Sequence, residues 1–235
     1  ANAGILLDTV APVLTSVLVA DGATFTSQLS NSLRLVGAGA DLLQVTIRDT
    51  NAATTTTGPL LAFQTDNIVT LPAGDCANGC KRVEVVLFDA AGNASSTVSD
   101  TISLDTVAPS AATLTLQGGA AITNQLALTT SLAFSTGATE AHKVALGEGI
   151  DCAAASYVAL TATSPDATHP VTLSAGDGTR SVTACLKDDA GNIATAVDQI
   201  VIDQTAPSGV AVRVANGAAK TNQTSNAVNV DVPAN

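Results

Sequence analysis

Apolar and polar residues alternate with a period of two in two long stretches of this chain, 82–87 and 181–186. Such alternation is typical of β-strands that have one buried and one solvated face. Shorter strands are predicted at 33–36, 43–47, 68–71, 126–134, 143–146 and 171–173. No stretch keeps a helical period for about three turns, and β-branched Thr and Val are abundant. The pattern therefore predicts an all-β protein.

Three sequence landmarks recur in order with almost the same period. An Asp-x-x-Ala-Pro segment occurs at 8–12, 105–109 and 203–207, so its prolines are 97 and 98 residues apart. Each segment is followed by an alternating strand and a turn that ends at Gly22, Gly119 or Gly217. An Asp-x-Ala-Gly-Asn turn then closes the repeat at 89–93 and again at 188–192. A period of about 100 residues fits one small β-sandwich.

The landmarks divide the chain into two complete repeats and two fragments. Residues 9–105 and 106–203 are each predicted to form an immunoglobulin-like (Ig-like) antiparallel β-sandwich. Residues 1–8 are predicted to be the last strand of a preceding repeat, and 204–235 the opening strands of a further, incomplete one. Proline has no amide to donate and fixes its own backbone, so the Asp-x-x-Ala-Pro segments should be short, semi-rigid linkers.

These motifs resemble the Ig-like tandem repeats of large secreted or cell-surface bacterial proteins. The residues that carry the resemblance are Gly-Gly at 118–119, Thr-Asn at 123–124, Gly-Asp-Gly-Thr at 176–179, Asp-Asp-Ala-Gly-Asn at 188–192, Ile-Val-Ile-Asp at 200–203 and the segment 216–222. The first repeat is more divergent, because its Gly74-Asp75 is followed by an insertion from Cys76 to Cys80. The resemblance implies the sandwich fold and an extracellular location at the bacterial cell surface.

Two classes of function follow from the resemblance. The chain could be a stalk, spacer or fibre unit whose partners are further repeats or copies of the same protein. Alternatively, it could be an adhesin module that contacts a cell-surface glycan or protein through its loops. An adhesive tip should differ from its neighbours by a long, aromatic or charged insertion. The two repeats differ modestly, by the 76–80 insertion and by residues 147–169, which favours the structural function.

Composition and motifs exclude several other functions. The net charge of −11 argues against nucleic-acid binding, which needs a basic surface, and against docking on anionic lipid. No apolar stretch approaches the roughly 20 residues of a membrane span, so no membrane insertion is expected in this segment. Neither His142 nor His169 belongs to a recognisable catalytic motif. We therefore expect no enzymatic activity. Aromatic residues make up only 2% of the chain, which weakens a sugar-binding interpretation.

The four cysteines fall in pairs, with two in each complete repeat. Cys76 and Cys80 flank a hairpin turn, whereas Cys152 and Cys185 are far apart in the second repeat. An extracellular location favours two disulfides within the repeats over free thiols. The spacing, with no histidine near the first pair, fits a zinc site poorly. Because Cys185 is out of phase with the apolar positions of its strand, its side chain should point away from the main core.

Recurring aspartates make calcium a candidate ligand. They are Asp8, Asp105 and Asp203 in the linkers, Asp100 and Asp198 five residues before a linker aspartate, and Asp89 and Asp188 at the turns. Carboxylate and carbonyl oxygens are the ligands that Ca²⁺ prefers. Aspartate before a turn also commonly caps its own backbone, which needs no metal. Both interpretations remain open on the sequence.

The ends of the chain carry strands without the rest of a repeat. Lone strands with an apolar face are unstable in water and present edges that seek partners. The sequence thus suggests an excerpt of a longer repetitive surface or filament protein. A second interpretation is that neighbouring chains in a fibre shelter these strands.

Overall fold

A computed structural model describes residues 6–109, 112–135, 142–160 and 164–231 of the chain. Strands dominate these residues, and the only helical elements among them are three short 3₁₀ turns at Ala20–Gly22, Gln117–Gly119 and Ala215–Gly217. No helix in the described ranges has the length and apolar character needed to cross a membrane.

The first sandwich is built from strands of residues 13–104. They are β1 (Val13–Val19), β2 (Phe25–Thr26), β3 (Ser30–Ala38), β4 (Leu42–Asp49), β5 (Thr54–Thr57), β6 (Leu61–Ala62), β7 (Asp66–Thr70), β8 (Lys81–Phe88) and β9 (Val98–Leu104). One sheet has the order β1-β3-β7, and the other has the order β2-β9-β8-β4-β5, with β6 also pairing with β4. The inward side chains of both sheets form one buried cluster, which includes Val19, Leu35, Leu43, Val85 and Ile102.

The second sandwich repeats this order in residues 113–202. Its strands are β10 (Thr113–Leu116), β11 (Ile122–Thr123), β12 (Ala127–Leu128), β13 (Thr130–Ala133), β14 (Lys143–Glu148), β15 (Val158–Ala159), β16 (Val171–Thr172), β17 (Gly178–Lys187) and β18 (Ile193–Ile202). The larger sheet has the order β11-β18-β17-β14-β15, and β10-β13 and β12-β16 pair opposite it. Their inward residues form a separate buried cluster, which includes Leu116, Leu132, Val144, Leu186 and Ile200.

The all-β, Ig-like fold expected from the sequence is confirmed. Val83, Val85 and Leu87 are fully buried, as are Val182, Ala184 and Leu186, whereas their polar neighbours lie on the outer faces. The predicted strand at 126–134 is interrupted, because β12 pairs with β16 whereas β13 pairs with β10. The threonine run 54–57 forms the exposed edge strand β5, which pairs with β4.

The last strands of the described chain form a hairpin whose apolar side chains are exposed. Strands β19 (Ala211–Val214) and β20 (Val228–Asp231) pair as β1 and β3 do in the first sandwich. Val212, Val214 and Val230 are each more than half exposed, whereas β1 and β3 bury their inward residues. Pro207 is exposed as well, although Pro12 and Pro109 are buried.

Candidate functional site at the linkers between sandwiches

The Asp-x-x-Ala-Pro linkers are the part of the chain where the recurring residues come together. The first aspartate of each linker caps the linker backbone, because its Oδ1 accepts the amide of the residue two positions later. The donors are Val10 for Asp8 at 3.0 Å, Val107 for Asp105 at 3.1 Å, and Thr205 for Asp203 at 3.1 Å. This is an Asx turn, which fixes the direction in which the chain leaves the last strand.

The Asp-x-Ala-Gly-Asn turn holds the linker that precedes its own repeat. Asn192 Nδ2 donates to the carbonyl oxygen of Asp105 at 2.8 Å, and Asn93 Nδ2 donates to that of Asp8 at 3.1 Å. Asp188 orients Asn192 by accepting its amide and its Nδ2, both at 2.8 Å. We call the contact of the asparagine with the linker carbonyl the asparagine clamp.

Asp89 orients Asn93 with the same two hydrogen bonds. The side-chain hydrogen bond from Asn93, together with nearby backbone amides, holds the pKa of Asp89 below its usual value despite burial. The carboxylate therefore stays ionised at neutral pH and keeps the asparagine oriented. These hydrogen bonds explain the spacing of the turn motif, because the turn places the asparagine within hydrogen-bonding distance of the aspartate four residues before it.

A second clamp comes from the repeat that precedes each linker. Asp75 Oδ1 accepts the amide and the hydroxyl of Thr106 at 3.0 and 2.8 Å. Asp177 Oδ1 accepts the Gln204 amide at 2.6 Å, and its Oδ2 accepts the Thr205 hydroxyl. These bonds, with the Thr205 hydroxyl first, lower the pKa of Asp177. We call this contact the aspartate clamp.

The linker at 105–109 therefore has hydrogen bonds to both sandwiches. Asp75 of the first sandwich accepts the donors of Thr106, and Asn192 of the second donates to Asp105. Asp105 is itself buried, and its amide donates to the carbonyl of Thr26 at 3.0 Å.

The predicted calcium residues are engaged in hydrogen bonds rather than gathered into one cage. Asp100 Oδ2 accepts the Val19 amide and Asp198 Oδ2 accepts the Leu116 amide, both at 2.8 Å, so each joins strands of opposite sheets. The remaining predicted residues, Asp8, Asp89, Asp105, Asp188 and Asp203, hold the linkers or the turns. Among the described residues, no three acidic, histidine or cysteine side chains form a group that could hold a metal. Ca²⁺ takes six to eight oxygens, and the calcium interpretation of these residues stays a prediction.

The structure joins the cysteines in the two predicted pairs. Cys76 is bonded to Cys80, with a Cα–Cα distance of 6.0 Å, and Cys152 is bonded to Cys185, with a distance of 5.5 Å. The first pair packs with Leu104 in a small cluster beside the linker. Cys185 lies outside the main core, on the outer side of its strand, yet it is 0% exposed.

Residues 149–157, which we call the outer loop, cover Cys185 on the outer face of the second sandwich. The Tyr157 hydroxyl donates to the Cys152 carbonyl at 2.8 Å, and Lys187 Nζ lies 5.1 Å from the centre of the Tyr157 ring. A hollow of about 280 Å³ lies under this loop, lined by Ala145, Leu146, Ile150, Asp151, Ala154, Ala155 and Ser156. The first sandwich has no disulfide at the equivalent place.

The histidines form no catalytic group in the described part of the chain. His142 Nδ1 contacts Asp189 Oδ2 at 2.8 Å, and His169 Nε2 contacts Asp166 Oδ2 at 3.2 Å. In these ranges neither ring has a hydroxyl or thiol partner that could act as a nucleophile. The hydroxyl of Thr168 donates to Asp166 instead.

Sequence reasoning did not identify the aspartate clamp. Asp75 and Asp177 each follow a glycine with φ near +105° (Gly74 at 105°, Gly176 at 103°), and the recurring Gly-Asp pair was the available signal. The asparagine clamp was missed for another reason. The turn motif was noticed, but the partner of its asparagine lies 87 residues away in the chain.

No protein-family model matches this sequence, and no curated protein does. Solved structures with a similar fold include fibronectin(III)-like modules of Clostridium thermocellum CbhA, with 11% identity and a TM-score of 0.46, covering 80% of this chain and 93% of that one. The FN1–FN3 domains of chicken CNTN1 match with 12% identity and a TM-score of 0.47, covering 82% and 67%. A 1.5-MDa bacterial ice-binding adhesin matches with 15% identity and a TM-score of 0.39, covering 89% and 71%.

Proposed function

We propose that this chain is a structural segment of a long extracellular bacterial surface or filament protein, in which Ig-like repeats act as a stalk, spacer or fibre unit. The proposal includes the domain division at 9–105 and 106–203 and partners that are further repeats of the same kind. The observation that supports it best is the linker at 105–109, which both sandwiches hold through hydrogen bonds. A stalk needs fixed angles between its units, whereas a flexible tether does not.

Measuring the distribution of distances between spin labels on the two sandwiches tests this proposal. Spin labels attached at exposed Ser32 and Thr195, through a ketone-bearing unnatural amino acid, leave the cysteines untouched. We expect a narrow distance distribution for the native chain. The double variant Asp75→Ala/Asn192→Ala should broaden it, whereas Asp66→Ala, which removes an exposed aspartate of β7 that pairs with Arg34, should not. A native distribution as broad as that of a flexible tether would contradict the proposal.

The outer loop supports a second candidate function, an adhesive module. It is specific to the second sandwich, is pinned by a disulfide, and carries the only tyrosine of the chain. Binding of the chain to immobilised glycans and host surface proteins tests this candidate. Loss of such binding in Tyr157→Ala, with Tyr157→Phe as control, would favour it, and absence of any binding would leave the stalk function alone.

A further inference from the structure

The insertion from Cys76 to Cys80 lies between the clamping residue Asp75 and strand β8. We propose that the Cys76–Cys80 disulfide is a positioning element for the linker, which keeps Asp75 in place to hold Thr106 and so fixes the angle between the two sandwiches. This inference rests on the proposed function, because it assigns the stiffness of the array to a particular cross-link.

The second sandwich has an aspartate clamp with no disulfide beside it, and its backbone shows how the clamping aspartate is held there. There, Asp177 lies between Gly176 and Gly178, with φ of 103° and 127°, and β17 begins at Gly178. A tight turn of glycines with left-handed backbone thus ties the clamping aspartate directly to a long strand. Because Asp177 is the residue directly before β17, its position is tied to that of the sheet.

The first sandwich lacks this direct connection between the clamping aspartate and a long strand. Asp75 follows Gly74, with φ of 105°, but β8 begins only at Lys81, after the whole insertion. Asn78 and Gly79 both have positive φ, of 60° and 66°, so the inserted loop turns sharply. A five-residue loop with no constraint would let Asp75 move relative to β8, because short polar loops are locally mobile.

The Cys76–Cys80 disulfide provides a covalent connection between Asp75 and β8 across the insertion. Cys76 is the residue next to Asp75, and Cys80 is the residue next to β8, so the bond joins the two ends of the insertion. It also closes the loop over the end of β9, which runs into the linker. There the Cys76 amide donates to the Leu104 carbonyl at 2.7 Å, and the Gly79 amide donates to the Ser103 hydroxyl at 2.8 Å.

The far end of the insertion is anchored to a neighbouring strand connection. The carbonyl of Cys80 accepts the amide of Thr50 at 3.0 Å and its hydroxyl at 3.3 Å. The sulfur atoms are shielded, because Cys76 is 9% exposed and Cys80 is 5% exposed. The disulfide therefore acts as an internal brace between a fixed strand and a clamping side chain, which is a different role from that of Cys152–Cys185 on the outer face.

The same spin-label pair at Ser32 and Thr195 tests the role of the brace in the full 235-residue chain. We expect Cys76→Ala/Cys80→Ala to broaden the distance distribution about twofold, since the linker then behaves more like a flexible one. The Thr106 amide should exchange faster with deuterium. The matched control, Cys152→Ala/Cys185→Ala, removes a disulfide that does not touch the linker. Because Thr195 lies opposite Cys185, the second label is moved to exposed Thr172 for this control and for the native chain measured beside it, and neither measurement should change.

A third variant keeps the test decisive if loss of the disulfide perturbs folding. Replacing residues 76–80 by the dipeptide Gly-Thr copies the Gly-Asp-Gly-Thr turn of the second sandwich and should give a narrow distribution with no disulfide. The inference is overturned if the first cysteine variant stays as narrow as the native chain, or if the control broadens equally. It is also overturned if the folded Gly-Thr variant is as broad as the alanine variant. A broad distribution in the native chain would instead refute the proposed function itself.

Discussion

Three consecutive residues with left-handed backbone follow the opening strand of each repeat. In the first repeat, Ala20, Asp21 and Gly22 have φ of 47°, 56° and 84°. The corresponding angles are 46°, 65° and 86° at 117–119, and 53°, 57° and 83° at 215–217. Such angles favour glycine, asparagine and aspartate, because a Cβ atom crowds the backbone there. The middle position is accordingly Asp, Gly or Asn, although the three share no other chemistry.

We predict that Gly119→Ala destabilises the chain by about 1–2 kcal/mol, because alanine is strained at positive φ. The added methyl group itself has room, since its nearest neighbour would be Thr115 Cγ2 at 3.9 Å. Urea denaturation measures the change in the free energy of unfolding. Ala120→Gly is the control, because φ at Ala120 is −63°, and it should cost less. Equal stability of Gly119→Ala and the native chain would contradict the prediction.

A buried ion pair joins β4 to β8 in the first sandwich. Lys81 is 0% exposed and Asp49 is 3% exposed, and the ammonium of Lys81 donates to Asp49 Oδ2. The other carboxylate oxygen accepts the amides of Asn51 and Ala52, each at 3.0 Å. Every polar atom of the pair therefore has a partner, which a buried charge requires.

Removing one partner of this pair should be strongly destabilising. We expect Lys81→Met to lower the free energy of unfolding by about 3–5 kcal/mol, because the Asp49 carboxylate is left buried without a counter-ion. The double variant Lys81→Met/Asp49→Asn should recover most of this loss, since asparagine is neutral and still accepts the two amides. Chemical denaturation of the two variants measures both effects. A double variant as unstable as the single one would contradict this explanation.

The ion pair also predicts how stability depends on pH. The hydrogen bond from Lys81 lowers the pKa of Asp49 below its usual value, outweighing the effect of burial. A lowered pKa in the folded state means that the contribution is complete above the unfolded pKa of about 3.9 and is lost as the pH falls through the folded value. Acid titration should therefore narrow the stability difference between the native chain and the double variant only below about pH 4. A difference that already declines near neutral pH would contradict the assignment.

At the scale of elements, the alternation in the sequence does not reveal which strand pairs with which. β3 pairs with β1 and β7 along one continuous strand, whereas the equivalent segment of the second sandwich breaks into β12 and β13. At the break, Gln117 Oε1 accepts the amide and hydroxyl of Thr129. The parallel pairs of β2 with β9 and β11 with β18 are only two residues long, too short to leave a periodic signal.

The outer loop is the element whose stability depends most on a cross-link. We predict that Cys152→Ala/Cys185→Ala lowers the free energy of unfolding by about 3–4 kcal/mol, because this disulfide closes a long chain segment. Hydrogen exchange should increase in 149–157, whereas β17 and β18 keep their protection, since they pair along their whole length. Non-reducing peptide mapping checks the pairing. In contrast, the short Cys76–Cys80 loop should contribute only about 2 kcal/mol. Unchanged exchange in the outer loop would contradict the prediction.

At the scale of the whole molecule, the linkers determine whether neighbouring repeats keep a fixed relative orientation or move independently. The asparagine clamp acts on a backbone carbonyl of the linker, and the aspartate clamp accepts a backbone amide together with a threonine hydroxyl. The backbone part of both contacts does not depend on the side chain at the linker position. Thr106 and Gln204 differ, yet the amide of each donates to the clamping aspartate. A repeat can therefore vary in its linker and still hold its neighbour.

If the recurrent aspartates act only by capping the backbone, removing calcium should leave the array unchanged, because their carboxylates already accept backbone amides. Chelation should change neither the melting temperature nor the distance between labels at Ser32 and Thr195. Magnesium addition after chelation is the control for ionic strength. A clear fall in melting temperature on chelation, restored by calcium alone, would instead support the calcium interpretation of Asp8, Asp89, Asp100, Asp105, Asp188, Asp198 and Asp203.

The all-β class, the repeat period and the inward residues of the long strands could be predicted from the sequence. These follow from local periodicity and from landmarks such as Asp89-x-x-x-Asn93, which depend on residues close together in the chain. Only the folded chain shows which of those landmarks contact a linker. Asn192 meets Asp105 and Asp75 meets Thr106 across long chain separations, and backbone carbonyls and amides, which every residue carries, leave no mark in a sequence.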